Sequence, residues 1–126
     1  MTVLTIGPAL ALVALLLTIS TSLSVRLRPD WRIPAVLSVI LAAFTVWAIA
    51  DEGLFGFWHE HTDSLWGNQV WFDLLLAFGM AWTTCLARMR VVGMAAGIWA
   101  IALIATGSIG LLAMLARLLW HESQKA

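Results

Sequence analysis

Charge is scarce in this chain of 126 residues: Asp, Glu, Lys and Arg together make up 11%, against about a quarter in a soluble domain. Seven basic and seven acidic side chains cancel, which removes the basic footprint that nucleic-acid binding needs. Cysteine is almost absent. The single Cys85 permits no internal disulfide and no cysteine-based zinc or iron–sulfur site. Tyrosine is missing altogether, so aromatic anchoring falls to eight tryptophans and five phenylalanines. What is present instead is apolar: 62% of the residues are hydrophobic and the mean hydropathy is +0.95. A chain of this composition cannot cover its own surface with polar groups. The bilayer is its natural solvent.

Four stretches are long enough to cross a hydrocarbon core of ~30 Å, which takes ~20 residues at 1.5 Å each. They run over about 2–24, 33–50, 69–87 and 93–119. The first carries no charge, and its Pro8 falls early, where few backbone bonds are lost. It lacks the basic n-region of a signal peptide, and its apolar run is too long for one, so it is expected to be retained. Pro34 suits the N-terminus of the second span. No second domain, linker or internal repeat interrupts the pattern, so one domain over 1–126 is expected. The fold class implied is all-α, an integral membrane four-helix bundle.

The connectors orient these spans. The first holds Arg26, Arg28 and Arg32 against Asp30, and the third holds Arg88 and Arg90 without an acid. The second, between Asp51 and Asn68, holds Asp51, Glu52, Glu60 and Asp63 and no cation. Basic residues in short loops stay cytoplasmic, so the first and third connectors are inside. Both termini are then extracytoplasmic, although Arg117 and Lys125 near the C-terminus oppose that placement. Trp58, Trp66, Trp71 and Trp120 map to the outer interface and Trp31 to the inner one, as aromatic belts require. Trp47, Trp82 and Trp99 lie deeper, where packing against helices or lipid is the simpler role than stacking on a flat ligand.

Few residues are equipped for chemistry. Asp73 is an ionisable group inside a span, costly and therefore a functional candidate by default. Arg117 is expected at a similar depth, and a structural Asp73–Arg117 pair with Asn68 or Gln69 nearby accounts for both. The outer loop reads His59-Glu60-His61-x-Asp63, and His121-Glu122 in the tail is expected on the same face. Two histidines at i and i+2 are splayed apart by a helix, and the spacing matches no zinc motif, so a hydrated loop explains them. Gly93-x-x-x-Gly97 with Ala96 and Ala100, and then Gly107-Ser108-Ile109-Gly110, predict close-approach surfaces on the fourth helix. The Thr18, Ser20, Thr21, Ser22, Ser24 cluster is expected to bond carbonyls one turn back. No Gly-x-Ser-x-Gly elbow occurs.

Three pieces in order carry a resemblance: Glu52-Gly53-Leu54-Phe55-Gly56-Phe57, Gln69-Val70-Trp71-Phe72-Asp73-Leu74 and Gly107-Ser108-Ile109-Gly110-Leu111-Leu112. Together they resemble a family of small bacterial four-helix membrane proteins of unknown function, over roughly the second to fourth spans. Relatives often place an aromatic after the last Leu pair, where this chain has Ala113 and Met114. The resemblance implies a fold and a location, a bacterial cytoplasmic (inner) membrane, and carries no activity. It marks Asp73 and the Gly107–Gly110 turn as parts of the pattern.

Three functional classes follow. The first is a non-enzymatic membrane subunit or a binder of a lipophilic molecule such as a quinone, carotenoid or lipid. The second is a small enzyme acting on an isoprenoid-like substrate, with Asp73 as acid or base and Arg117 or His121 as its second group. The third is a small-molecule transporter, which the strong charge bias and shallow carboxylate disfavour. Candidate ligand-facing residues are Asp73, Arg117, Trp71, Gly107 and Gly110. No metal site and no particular cofactor is indicated. Expected partners are membrane lipid, a larger membrane complex, a pigment or quinone, and a second copy of the chain.

Overall fold

A computed structural model describes residues 3–125, and among these the chain is all-helical. The helices are α1 (Val3–Ser24), α2 (Arg32–Glu52), α3 (Gly56–Thr62), α4 (Leu65–Val91), α5 (Ala96–Thr106) and α6 (Ser108–Gln124). Three of them, α1, α2 and α4, are long and apolar enough to cross a membrane. They coincide with the first three predicted spans. Thr2, the expected start of the first, lies outside the described residues.

Local chemistry sets the helix limits. The Asp30 carboxylate accepts the Arg32 N–H at 2.9 Å and so satisfies one of the free donors at the start of α2. Ser64 caps α4, its hydroxyl accepting the Gly67 N–H at 2.9 Å. That cap starts α4 four residues before the predicted span, inside what reads as a polar loop. In α1, Thr18, Ser22 and Ser24 donate to the carbonyls of Ala14, Ile19 and Ser20, the back-bonding expected of them.

The fourth predicted span does not form. Residues 93–119 contain a break at Gly107, whose φ of 62° and ψ of −125° suit only a residue without a Cβ. The chain reverses there. A Cβ built on Gly107 lies 3.6 Å from the Phe78 ring, midway along α4. Cys85 and Met89 of α4 meet Met114 and Leu118 of α6, and Arg88 reaches Glu122. Hence α6 runs parallel to α4, and α5 runs back between their ends. At 1.5 Å per residue the eleven residues of α5 rise ~16 Å, about half a bilayer core. A half-length hairpin replaces the fourth crossing, and the C-terminal end of α6 lies beside the third connector rather than opposite it.

The packing centre is α6. It lies against α2, α5 and α4, and its Met114 and Leu118 are fully buried together with Met89. Trp82, Trp99, Leu111 and Leu115 close around that cluster. Two of the deep tryptophans therefore pack on helices, while Trp47 is exposed and meets Phe44 edge to face at 5.8 Å. Gly110 permits the α5–α6 contact, since a Cβ there would sit 2.5 Å from the Ala102 carbonyl oxygen. Ser38, buried on α2, donates to the Ile109 carbonyl at 2.9 Å and pins α2 to the start of α6. By contrast, among the described residues α1 forms no substantial packing with any other helix. The compact unit is α2, α4, α5 and α6, in place of a bundle of four full spans.

Candidate functional site

The residues singled out from the sequence divide between the two ends of α4. At its N-terminal end α3 folds down onto the first turns of α4 through aromatic rings. Trp71 receives Phe57 at 6.2 Å, Trp58 at 6.4 Å and His61 at 5.1 Å between ring centroids. The Asn68 side-chain amide donates to the His61 carbonyl at 2.6 Å and ties the same two helices. Trp71 is thus a packing anchor for α3, and Asn68 serves α3 rather than Asp73. Phe55 and Trp66 remain largely exposed, as an apolar rim suited to an interface requires. His59 and His61 stand two residues apart on α3, about 200° around the helix. Among the described residues no three His, Cys, Asp or Glu side chains converge on a metal-sized site.

Asp73 and Arg117 do not meet. Asp73 lies five residues before Phe78 on α4, and Arg117 ten residues beyond Gly107 on a parallel helix. Their separation along the helix axes is therefore about 20 Å. Asp73 is exposed, not turned into the bundle, and among the described residues it has no ion-pair partner. Arg117 instead lays its guanidinium over Trp120, Cζ to ring centroid 4.7 Å, an arrangement that suits a planar cation on a π face.

The hairpin corrects the placement of the tail as well. His121, Glu122 and Trp120 lie at the Arg88 end, not with the outer histidines and acids. Arg88 binds Glu122 through two parallel bonds, Nε to Oε1 at 2.7 Å and Nη2 to Oε2 at 2.6 Å. Those bonds hold the Glu122 carboxyl below the usual carboxylate range; burial pushes it the other way, and the positive charge of Arg88 adds to the lowering. Lys125 Nζ donates to the Val91 carbonyl at 3.4 Å, closing the same end of α4. Nothing in the sequence marks Glu122 as a partner for Arg88, because a fourth crossing puts them on opposite faces.

The glycines also exchange roles. Gly93 (φ 77°) forms the turn between α4 and α5, and neither it nor Gly97 has a neighbour within 4 Å of a built Cβ. The close approach expected of Gly93 and Gly97 is made by Gly110. Two shallow, open recesses lie at the Arg-bearing end. One, about 300 Å³, is bounded by Arg88, Val92, Glu122 and Lys125. The other, about 370 Å³, lies between the α1–α2 connector and the last turns of α6. Comparison with family models, with curated proteins and with solved structures gives no match.

Proposed function

We propose that this protein is a non-enzymatic integral subunit of a bacterial cytoplasmic membrane, working by lateral association through α1. The observation that carries the reading is α1 itself. Its 22 residues contain no charge, and among the described residues no other helix packs substantially on it. Within a bilayer the hydrophobic effect gives an apolar helix no reason to seek its own bundle, so association depends on matched surfaces. A helix left free of its own domain is available to a larger membrane complex, to a second copy, or to a lipophilic molecule such as a quinone or carotenoid.

The enzyme alternative rests on Asp73, an unpaired carboxylate on a helix of membrane-spanning length. General acid–base work needs a second group within reach. His121 sits near the far end of α4, and His61 packs on Trp71, two residues and about 200° around the helix from Asp73. The association reading is favoured for that reason, and the transporter reading lacks a deep paired carboxylate to support it.

Photo-crosslinking from α1 tests the proposal. A photoreactive residue at Leu12 or Leu16 in native membranes should yield one discrete protein or pigment adduct. Gentle purification should then recover that species in stoichiometric amount by mass spectrometry or absorption. Adducts to lipid alone, with a colourless monomer that turns over an added isoprenoid, would overturn it in favour of the enzyme.

A further inference from the structure

The basic side chains of this chain collect at one end. Arg26, Arg28 and Arg32 lie in or beside the α1–α2 connector, Arg88 and Arg90 end α4, and Lys125 follows α6 next to Val91. Some of this charge is already used. Arg88 is committed to Glu122, and Lys125 to a backbone carbonyl.

Arg28 and Arg32 are different. Both border the 370 Å³ recess between the connector and the end of α6, both are exposed, and neither has an ion pair among the described residues. The acid between them, Asp30, holds the connector in shape by accepting the Arg32 N–H. Arg32 also stands over the Trp31 ring, Cζ to centroid 5.8 Å, which limits its swing. The remaining lining is Pro29, Asp30, Trp31, Leu119 and Ser123, so one carboxylate faces the recess against two guanidiniums and the balance is basic. The Ser123 hydroxyl donates to the Trp120 carbonyl at 2.7 Å, so toward the recess it offers lone pairs.

Two guanidiniums with a stacking ring and an apolar wall recognise a particular chemistry. The fork of Arg suits phosphate oxygens, and the apolar wall suits the glycerol and first methylenes attached to a phosphodiester. A freely hydrated anion gains nothing from Trp31, Pro29 and Leu119. An acceptor at the rim suits a headgroup that carries a hydroxyl. Basic recesses between membrane helices on the cytoplasmic side are where anionic headgroups settle.

We propose that Arg28 and Arg32, against the wall of Trp31 and Leu119, bind the headgroup of an anionic glycerophospholipid. The site rests on the integral-membrane reading and lies at the end that the positive-inside rule makes cytoplasmic. It lies on the connector between α1 and the packed unit of α2, α4, α5 and α6, so a bound lipid would set the angle at which α1 leaves.

Native mass spectrometry from nanodiscs tests this. The full chain is reconstituted in phosphatidylcholine containing phosphatidylglycerol, and the lipids retained on the ejected protein are counted. Wild type should retain phosphatidylglycerol over phosphatidylcholine by roughly thirtyfold, as two favourable charge contacts imply. The Arg28→Gln/Arg32→Gln double variant should retain the two lipids equally, and Arg90→Gln should behave as wild type. Both targeted arginines are exposed, so helicity by circular dichroism should be unchanged in the variants. A preference that survives in the double variant, or none in wild type, overturns the proposal. So does displacement of the lipid by millimolar inorganic phosphate, which would mark a site for free anions. A chain that stays in the aqueous fraction on flotation with phosphatidylcholine vesicles fails the membrane reading itself, and the site with it.

Discussion

Arg88 and Glu122 are 34 residues apart in sequence and joined by two charge-assisted hydrogen bonds of 2.7 and 2.6 Å. The pair ties the end of α6 to the end of α4, which a fourth full crossing forbids. It follows that the half-length α5, the reversal at Gly107 and the position of the tail are one structural fact seen three times. The charge distribution becomes simpler as a result. Arg117 and Lys125, which oppose an outward C-terminus, join Arg26, Arg28, Arg32, Arg88 and Arg90 toward one end, and the acidic segment around α3 is left at the other.

This arrangement makes a topological prediction. In a Cys85→Ala background, a membrane-impermeant maleimide should label Thr62→Cys in intact cells. Asp30→Cys and Lys125→Cys should react only after the membrane is opened, because the Arg-bearing end is cytoplasmic under the positive-inside rule. Labelling of Lys125→Cys together with Thr62→Cys in intact cells would rule out the hairpin in the membrane.

The ion pair has a pH signature of known sign. Hydrogen bonding from Arg88 lowers the Glu122 pKa in the folded protein. Its contribution to stability is therefore complete above the ordinary carboxylate pKa, roughly 4.3, and is lost as pH falls through the lower folded value. Both side chains are more than one-third solvent-accessible, 45% for Arg88 and 34% for Glu122, so the contribution is small, about 0.2–1 kcal/mol. Thermal unfolding in detergent should show Glu122→Gln less stable than wild type at pH 7 and closer to it at pH 3. An equal gap at both pH values would mean that the pair contributes nothing.

How much of this was legible in the sequence depends on the kind of signal. The first three long helices follow from uninterrupted apolar length, which the bilayer converts directly into a span. The break at Gly107 does not, because Thr106-Gly107-Ser108 sits within a run whose total hydropathy and length match a crossing. The signal that could have found it is the objection of Arg117 and Lys125, both on the return arm. Counting depth along one continuous fourth helix sets Asp73 and Arg117 level, and the reversal at Gly107 removes that helix. The roles of Trp71 and Asn68 depend on α3 folding back onto α4, which nothing in a loop sequence shows.

Glycine substitutions separate the two readings of the small residues. Gly110→Ala should destabilise by roughly 1–3 kcal/mol, because the new methyl meets the Ala102 backbone, which cannot swing aside. Gly107→Ala should cost about 1–3 kcal/mol, because φ 62° with ψ −125° is a sparsely populated backbone region for a residue with a Cβ. Gly97→Ala should be neutral or slightly stabilising, since it adds helix propensity in open space. If unfolding in detergent ranked Gly97→Ala as the most damaging of the three, the close contact would lie on the Gly93–Gly97 face instead.

Simple depth counting pairs Asp73 with Arg117. Their separation of about 20 Å along the helix axes exceeds the range over which side chains couple directly. Asp73→Asn and Arg117→Gln should therefore act additively, with the double variant within about 0.5 kcal/mol of the sum of the singles. The two changes should also differ in kind. Arg117→Gln loses the stacking on Trp120, worth about 0.5–1 kcal/mol at an exposed position, and should shift Trp120 emission. Asp73→Asn removes an exposed, unpaired charge from an apolar helix, so it should leave stability unchanged or raise it slightly. Recovery of stability in the double variant would restore the direct pair and require a different path for α6. Loss of partner capture or of turnover in Asp73→Asn, with the fold intact, would instead give this carboxylate a functional role that packing does not explain.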